Sequence, residues 1–330
     1  MGRAVSSLGR GVAVGVAVRG RSHEARGVGC EDVVLTREGP VTIAALSDGA
    51  GSARHARLGA ETATRAVVEL LAREFAALQD AGPAVARDRI LEVVDAALAR
   101  EAHVRGAHPH DLASTLLFVA MSRGRVLGGH LGDGVVAVRR TGRFEVVFEP
   151  AAGEFAGETV FVPMRGGAGD LRLFTGPIVG IDGVALMSDG AAASLCGAVG
   201  REGPPSERYR LAPILDRWWG GLVTHAPSEV RGAVEDALRG PVRARTGDDC
   251  SLALVRRVGF ADATALVSPA RRSEMLGAST CGAARIRGRL ARAWSEVGEG
   301  VELVRLARRA RVSVRRARQH HAALRAIGWG

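Results

Sequence analysis

Val41-Thr42-Ile43-Ala44-Ala45-Leu46-Ser47-Asp48-Gly49-Ala50-Gly51-Ser52 decides how this 330-residue chain is read. A run of β-branched and apolar residues predicts a strand, and Asp-Gly stops it. That ending places a carboxylate at a sheet edge, beside backbone that can approach a ligand closely. Asp189 stands likewise after Val184-Ala185-Leu186-Met187. Further acids occur in Gly29-Cys30-Glu31-Asp32, Gly132-Asp133-Gly134 and Gly247-Asp248-Asp249-Cys250-Ser251. One such ending is an ordinary turn. Several, spread from Glu31 to Asp249, predict strand ends converging on one site. Clustered carboxylates repel and protonate unless a counter-charge is present. The economical counter-charge is a hard divalent cation with oxygen ligands, Mg²⁺ or Mn²⁺.

Composition narrows the alternatives. The chain is 47% apolar and 24% charged, ordinary for a globular protein long enough to hold one large domain or two. All 45 basic residues are arginine; there is no lysine and no asparagine. Without lysine there is no Walker-A loop, no protein-kinase catalytic lysine and no Schiff-base enzyme. Neither a Gly-x-Ser-x-Gly elbow nor a His-Glu-x-x-His helix is present. One Tyr and four Trp argue against an aromatic nucleic-acid stacking platform. Cys30, Cys196, Cys250 and Cys281 lack Cys-x-x-Cys spacing and read as reduced thiols of a cytoplasmic protein. The apolar run Val12 to Val18 reads as a first strand rather than a signal peptide. No run approaches the roughly 20 apolar residues of a membrane helix, so no membrane partner is expected.

Charge divides the chain. Residues 260–330 hold 14 arginines against five acids, while residues 1–259 hold 31 basic and 30 acidic residues. This asymmetry predicts two units, 1–258 and a basic module 259–330 with a possible polyanionic partner. In the first, strands are expected near 12–18, 33–36, 41–47, 115–121, 125–131, 134–139, 144–148, 159–163, 171–175, 184–188 and 251–257. Apolar spacings of three and four predict helices over 59–78 and 85–103, together covering one face of a sheet. Two more are expected over 206–219 and 228–238, and a surface flap over 149–183. In the tail, Glu302 to Arg309, a break at Arg311-Val312-Ser313, and Val314 to Ala326 predict two helices and a tight turn, with Ser313 as N-cap.

The order of motifs resembles the metal-dependent protein phosphatases of type 2C, the PPM family, in their bacterial form. The resemblance spans roughly residues 10–258. It rests on Gly29-Cys30-Glu31-Asp32, Ser47-Asp48-Gly49-Ala50-Gly51, Ala113-Ser114-Thr115-Leu116, Leu131-Gly132-Asp133-Gly134, Met187-Ser188-Asp189-Gly190 and Asp248-Asp249-Cys250-Ser251. It implies an α/β (α+β) fold: a four-layer αββα sandwich, here followed by a small all-α module. It also implies an enzyme that hydrolyses phosphoserine and phosphothreonine in proteins, opposing a Ser/Thr kinase, with two Mn²⁺ or Mg²⁺ ions and a position for a third, weaker one. By position, Asp48 would bridge the ions and the Gly49 carbonyl would ligate one. Glu31 would support one ion through water, Asp189 and Asp248 would hold the other, and Asp133 would match a weaker outer site. Thr115 would pack beside the metal aspartates. Two such ions lower the pKa of a bridging water from about 15.7 toward about 7, so that hydroxide can attack phosphorus without a protein nucleophile.

Three departures from the family pattern stand out. The arginine often found four residues before the motif-one acid is Gly27 here, leaving Arg26 or His23 to grip phosphate. Asp249 replaces the usual Asn, and alignment favours Asp248 as the ligand. Gly134 replaces a common Ser. His23, His55 and His130 lie near the motifs as structural or solvent-facing residues rather than general acids.

Two competing functions remain open on the sequence. One is a regulator with a phosphatase-like sensing or scaffolding domain and a DNA-binding tail, in which Arg315, Arg316 and Arg318 start a recognition helix. Against DNA binding stands an arginine-rich appendage that docks a protein or covers the catalytic domain. The other function is a metallophosphatase for small phosphoesters.

Overall fold

The computed structural model describes residues 11–122, 124–140, 142–150, 159–163, 170–178, 181–257, 278, 280–297 and 302–326. In chain order come β1 (Gly11–Val18), α1 (Arg21–Ala25), β2 (Val33–Arg37), β3 (Thr42–Ser47), α2 (Ala56–Ala81) and α3 (Pro83–Arg105). Then follow β4 (Leu116–Met121), β5 (Arg125–Leu131), β6 (Val135–Arg140), β7 (Arg143–Phe148), β8 (Arg172–Pro177) and β9 (Ile181–Met187). Next are α4 (Asp189–Leu195), β10 (Cys196–Ala198), α5 (Pro205–Arg208), β11 (Tyr209–Leu211), α6 (Ile214–Thr224), α7 (Pro227–Ala237) and β12 (Cys250–Arg257). Three helices close the tail: α8 (Cys281–Val297), α9 (Leu303–Ala310) and α10 (Val314–Ala326).

Two five-stranded sheets form, in the orders β1-β12-β9-β6-β7 and β2-β3-β4-β5-β8. Every neighbouring pair is antiparallel. The central strands are apolar on both faces, the pattern of a sheet covered on each side. In β4, Leu116, Phe118 and Ala120 face α2 and α3, whereas Leu117, Val119 and Met121 face the other sheet. In β9, Ala185 and Met187 pack toward α6 and α7, whereas Val184 and Leu186 face inward. The result is the expected αββα sandwich, with one helix pair on each outer face. Aromatic rings fill the second sheet above glycines: Phe118 pairs with Gly129 across β4 and β5. A Cβ on Gly129 would meet Phe118 Cζ at 2.2 Å. Gly129→Ala therefore overpacks the core and should cost about 1–3 kcal/mol in urea unfolding.

Helix expected over 206–219 is broken in two. Tyr209–Leu211 pairs with Cys196–Ala198, and α6 starts only after Pro213. Apolar spacing alone could not see this short pairing. The expected strand at 159–163 is a single bridge from Val162 to Ser114, because Pro163 cannot donate to a ladder. Within the expected flap at 149–183, β8 and the start of β9 are regular strands. Its residues 151–158, 164–169, 179 and 180 lie outside the described residues. In the tail, α9 and α10 fall where expected, and α8 adds a third helix. Leu290, Ala293, Leu306, Ala307, Ala310 and Ala317 form a core of their own.

Candidate active site

Antiparallel register carries the acids to one end of the sandwich. Ser47 pairs with Val33, which places Asp48 beside the Glu31-Asp32 segment. Met187 pairs with both Leu252 and Val135, so Asp189, Asp248-Asp249 and Asp133 follow at the same end. Leu131 pairs with Leu116, setting Gly132-Asp133 near Thr115. The β1–β2 connection, including α1, brings Ser22, His23 and Arg26. These segments line one cleft of ≈ 460 Å³. Its walls include Glu31, Asp48, Gly49, Asp133, Asp189 and Asp248. His23, Arg26 and Thr115 line it as well, and Arg26 is its only guanidinium among the described residues.

The Asp48 loop is fixed by backbone bonds on both sides. Asp48 N–H donates to Thr115 Oγ1 at 2.8 Å, and Thr115 N–H donates to the Asp48 carbonyl at 2.8 Å. Gly49 has no room for a side chain, since a Cβ would meet the Ala56 backbone at 2.6 Å. Asp189 opens α4 and accepts from Gly190 N–H at 2.6 Å. Asp133 accepts from Thr159 Oγ1 at 2.7 Å.

The two adjacent acids Asp248 and Asp249 separate. Asp248 is exposed at the cleft and accepts from Asp249 N–H at 2.9 Å. Asp249 is 1% exposed and turned inward. Its carboxylate accepts from Gly20 N–H and Glu31 N–H, each at 2.6 Å, and lies 3.0 Å from His23 Nδ1. Asp249 thus ties the β1 end and the Glu31 segment to the start of β12. His23 Nε2 also lies 3.7 Å from Glu31 Oε2.

Charge at the cleft is unmatched. Burial, followed by Asp32, Asp189 and Asp248, holds Asp48 well above the ordinary carboxylate range. Burial pushes Asp32 up to about 7, and the nearby Asp249 carboxylate adds to the shift. Burial, Asp133 and Asp248 push Asp189 up to about 6. Glu31 is raised chiefly by burial, while His23 and Arg26 pull it back. Both Asp32 oxygens are buried without a hydrogen-bond partner. Among the described residues, no three His, Cys, Asp or Glu side chains close into an ion cage by themselves. The acids lining the cleft offer carboxylate oxygens, hard donors of the kind that suits Mg²⁺ or Mn²⁺. A divalent ion would relieve the repulsion that raises these pKa values, so the residues fit such an ion.

Asp32 was the residue least legible in advance. Neighbouring residues of an extended chain point to opposite sides, so Glu31 reaches the cleft while Asp32 is buried behind it. That alternation was the available signal. Ser22, Phe161 and Thr246 also line the cleft without a motif to announce them. His55 and His130 do not line it. His130 is fully buried, its Nε2 lies 2.8 Å from the Gly134 carbonyl, and burial lowers its pKa to about 4.

No curated protein matches the chain in sequence. Solved structures share its fold. A bacterial serine phosphatase superposes with a TM-score of 0.53 at 15% identity, over 75% of this chain and 98% of that one. PppA, described as a key regulatory component of T6SS in Pseudomonas aeruginosa, gives 0.50 at 18% identity over 75% and 98%. Residues 19–239, a stretch that includes Glu31, Asp48, Asp133 and Asp189, match the family model described as protein phosphatase 2C. The chain therefore belongs to the protein phosphatase 2C family and is a protein serine/threonine phosphatase.

Proposed function

We propose that residues 1–258 form a Mn²⁺- or Mg²⁺-dependent phosphatase domain that hydrolyses phosphoserine and phosphothreonine in proteins, and that residues 259–330 form a separate basic module. The observation that carries this is the single cleft lined by acids from five separate segments, with one guanidinium among them. Asp48, the Gly49 carbonyl, Asp189 and Asp248 would hold two ions, Glu31 would support one through water, and Asp133 would offer a weaker outer position. When bound, such ions supply a nucleophile at neutral pH and neutralise charge on the phosphoryl group. Thr115 holds the Asp48 backbone in place, and Asp249 fixes the segments that carry Glu31 and His23. Arg26, exposed at the mouth, would meet the substrate phosphate, with His23 lining the cleft behind it between Asp249 and Glu31. Arg26 and Asp248 are both exposed at the rim, which suits a segment of a phosphoprotein rather than an enclosed small ester. The substrate would be supplied by a Ser/Thr kinase. Cys30, Cys196 and Cys250 are free thiols whose pKa values burial raises, consistent with a reducing cytoplasm. Among the described residues, no helix is long and apolar enough to cross a membrane.

The test is Mn²⁺-dependent release of phosphate from a phosphoserine peptide, side by side with a small aryl phosphate. A preference in kcat/KM for the peptide is expected; a preference for the small ester would overturn the protein-substrate reading. Arg26→Ala should raise KM for the peptide roughly 10- to 100-fold with a smaller change in kcat, since a charge-assisted bond contributes about 1.5–3 kcal/mol. An unchanged KM would remove Arg26 from the phosphate site.

A further inference from the structure

The tail holds a second cleft that phosphate hydrolysis does not use. It measures ≈ 820 Å³ and lies between α8 and the turn that joins α9 to α10. Arg285 and Arg289 project from α8, Arg311 from the turn, and Arg315, Arg316 and Gln319 from the start of α10. Among the described residues, no carboxylate pairs with any of these five arginines.

A tight turn joins α9 to α10, the connectivity of a helix-turn-helix. Val312 N–H donates to the Ala307 carbonyl at 3.0 Å, and Arg311 N–H to the Arg308 carbonyl at 3.1 Å, closing α9. Ser313 caps α10 through Arg316 N–H at 3.4 Å. Ala307, Ala310 and Ala317 are small and buried in the core that α8, α9 and α10 share. Arg311 has φ 53°, the only positive φ of a non-glycine residue among those described. Glycine would occupy that position with less strain. Strain tolerated at a residue whose side chain lines a ligand-sized cleft points to a role for that side chain.

We propose that this cleft binds duplex DNA, with α10 entering the major groove. Arg315, Arg316 and Gln319 stand on the first turns of the second helix, where such motifs contact base edges. Arg reads guanine and Gln reads adenine by paired hydrogen bonds. Arg285, Arg289 and Arg311 flank them as phosphate contacts. Arg318, also on α10, is exposed but lies outside this cleft. A-form RNA has a major groove too narrow for a helix. A membrane surface would need an apolar face, and among the described residues of the module the exposed large apolar ones are Val304 and Val314. The proposal is independent of the phosphatase cleft.

The experiment uses the full chain and a random-sequence DNA duplex about three helical turns long. Affinity is measured by anisotropy from about 50 to about 200 mM salt, with an RNA duplex of equal length alongside. Expected is DNA binding whose log K falls with log salt at a slope of roughly −3 to −5, and enrichment of a sequence motif on selection. Arg315→Ala with Arg316→Ala should abolish the enrichment with little change of slope, leaving phosphopeptide hydrolysis unchanged. Arg285→Ala with Arg289→Ala should make the slope shallower by about 2 but keep the motif. Absent or salt-insensitive binding, tighter binding to the RNA duplex, or wild-type DNA binding by both double variants overturns the proposal.

Discussion

Asp48→Asn lowers Mn²⁺-dependent phosphopeptide hydrolysis by roughly 10³-fold or more and, in the metal-free protein at neutral pH, raises the melting temperature. The first effect follows from its proposed place between two ions. Losing about 4 kcal/mol of transition-state stabilisation removes three decades of rate. The second follows from the cleft's unmatched charge. Asp48 faces Asp32, Asp189 and Asp248, and its carboxyl is held well above its ordinary value of 3.8. A carboxyl with a raised folded-state pKa keeps its proton where the unfolded chain has released it. It therefore favours the fold at low pH, and that contribution is lost as pH climbs from 3.8 toward the raised values, about 6 for Asp189 and about 7 for Asp32. Asparagine removes the charge without changing the shape. One unit of relieved shift is about 1.4 kcal/mol, or roughly 2–4 °C for a domain of this size. Melting curves in chelator at pH 8 and pH 4 check this: the variant should melt higher at pH 8, with the gap closing at pH 4. A gap of equal size at both values would show that repulsion is not its source. Mn²⁺ at about 100 times its Kd should stabilise the wild type by about 2.7 kcal/mol, reversing the order of the two proteins.

The adjacent acids Asp248 and Asp249 should fail in opposite ways. Asp249→Ala leaves the Gly20 and Glu31 N–H groups without their acceptor and His23 without its neighbour. Each unsatisfied buried donor costs about 1–3 kcal/mol, and the lost acceptor is charged, so a total near 3–5 kcal/mol is expected in urea unfolding. Asp249→Asn keeps one acceptor oxygen and should fall between. Asp248→Ala removes an exposed side chain with one local bond, and should cost less than about 1 kcal/mol. Its hydrolysis should nonetheless fall by at least about 10²-fold, because the proposed ligand is gone. If Asp249→Ala unfolds no more readily than Asp248→Ala, the bracing role of Asp249 is wrong. If Asp248→Ala keeps full activity, its place in the metal site is wrong.

Much of the sandwich was legible because its strands are long, apolar and stopped by Asp-Gly. Thr42–Ser47 and Leu116–Met121 read as strands from composition alone, and α2 and α3 from their periodicity. What escaped was short or non-local. The Tyr209–Leu211 strand exists because Cys196–Ala198 lies beside it, and three residues carry no period of their own. Helix α8 escaped because its identity rests on packing Leu290 and Ala293 against α9 and α10.

By itself, the sequence determined which chemistry is available: acids at strand ends, arginine as the sole fixed cation, no lysine, and a basic tail with a break at Arg311. The resemblance already pointed to Glu31 and Asp248, but only the tertiary structure decided what their neighbours do: Asp32 and Asp249 are buried behind the cleft that Glu31 and Asp248 face. Alternation along the chain separates two neighbours, but a shift of one residue exchanges the faces, so the packing has to say which one is buried. The choice is set by contacts such as Gly20 N–H to Asp249, which join positions 229 residues apart and form only when the sheets close.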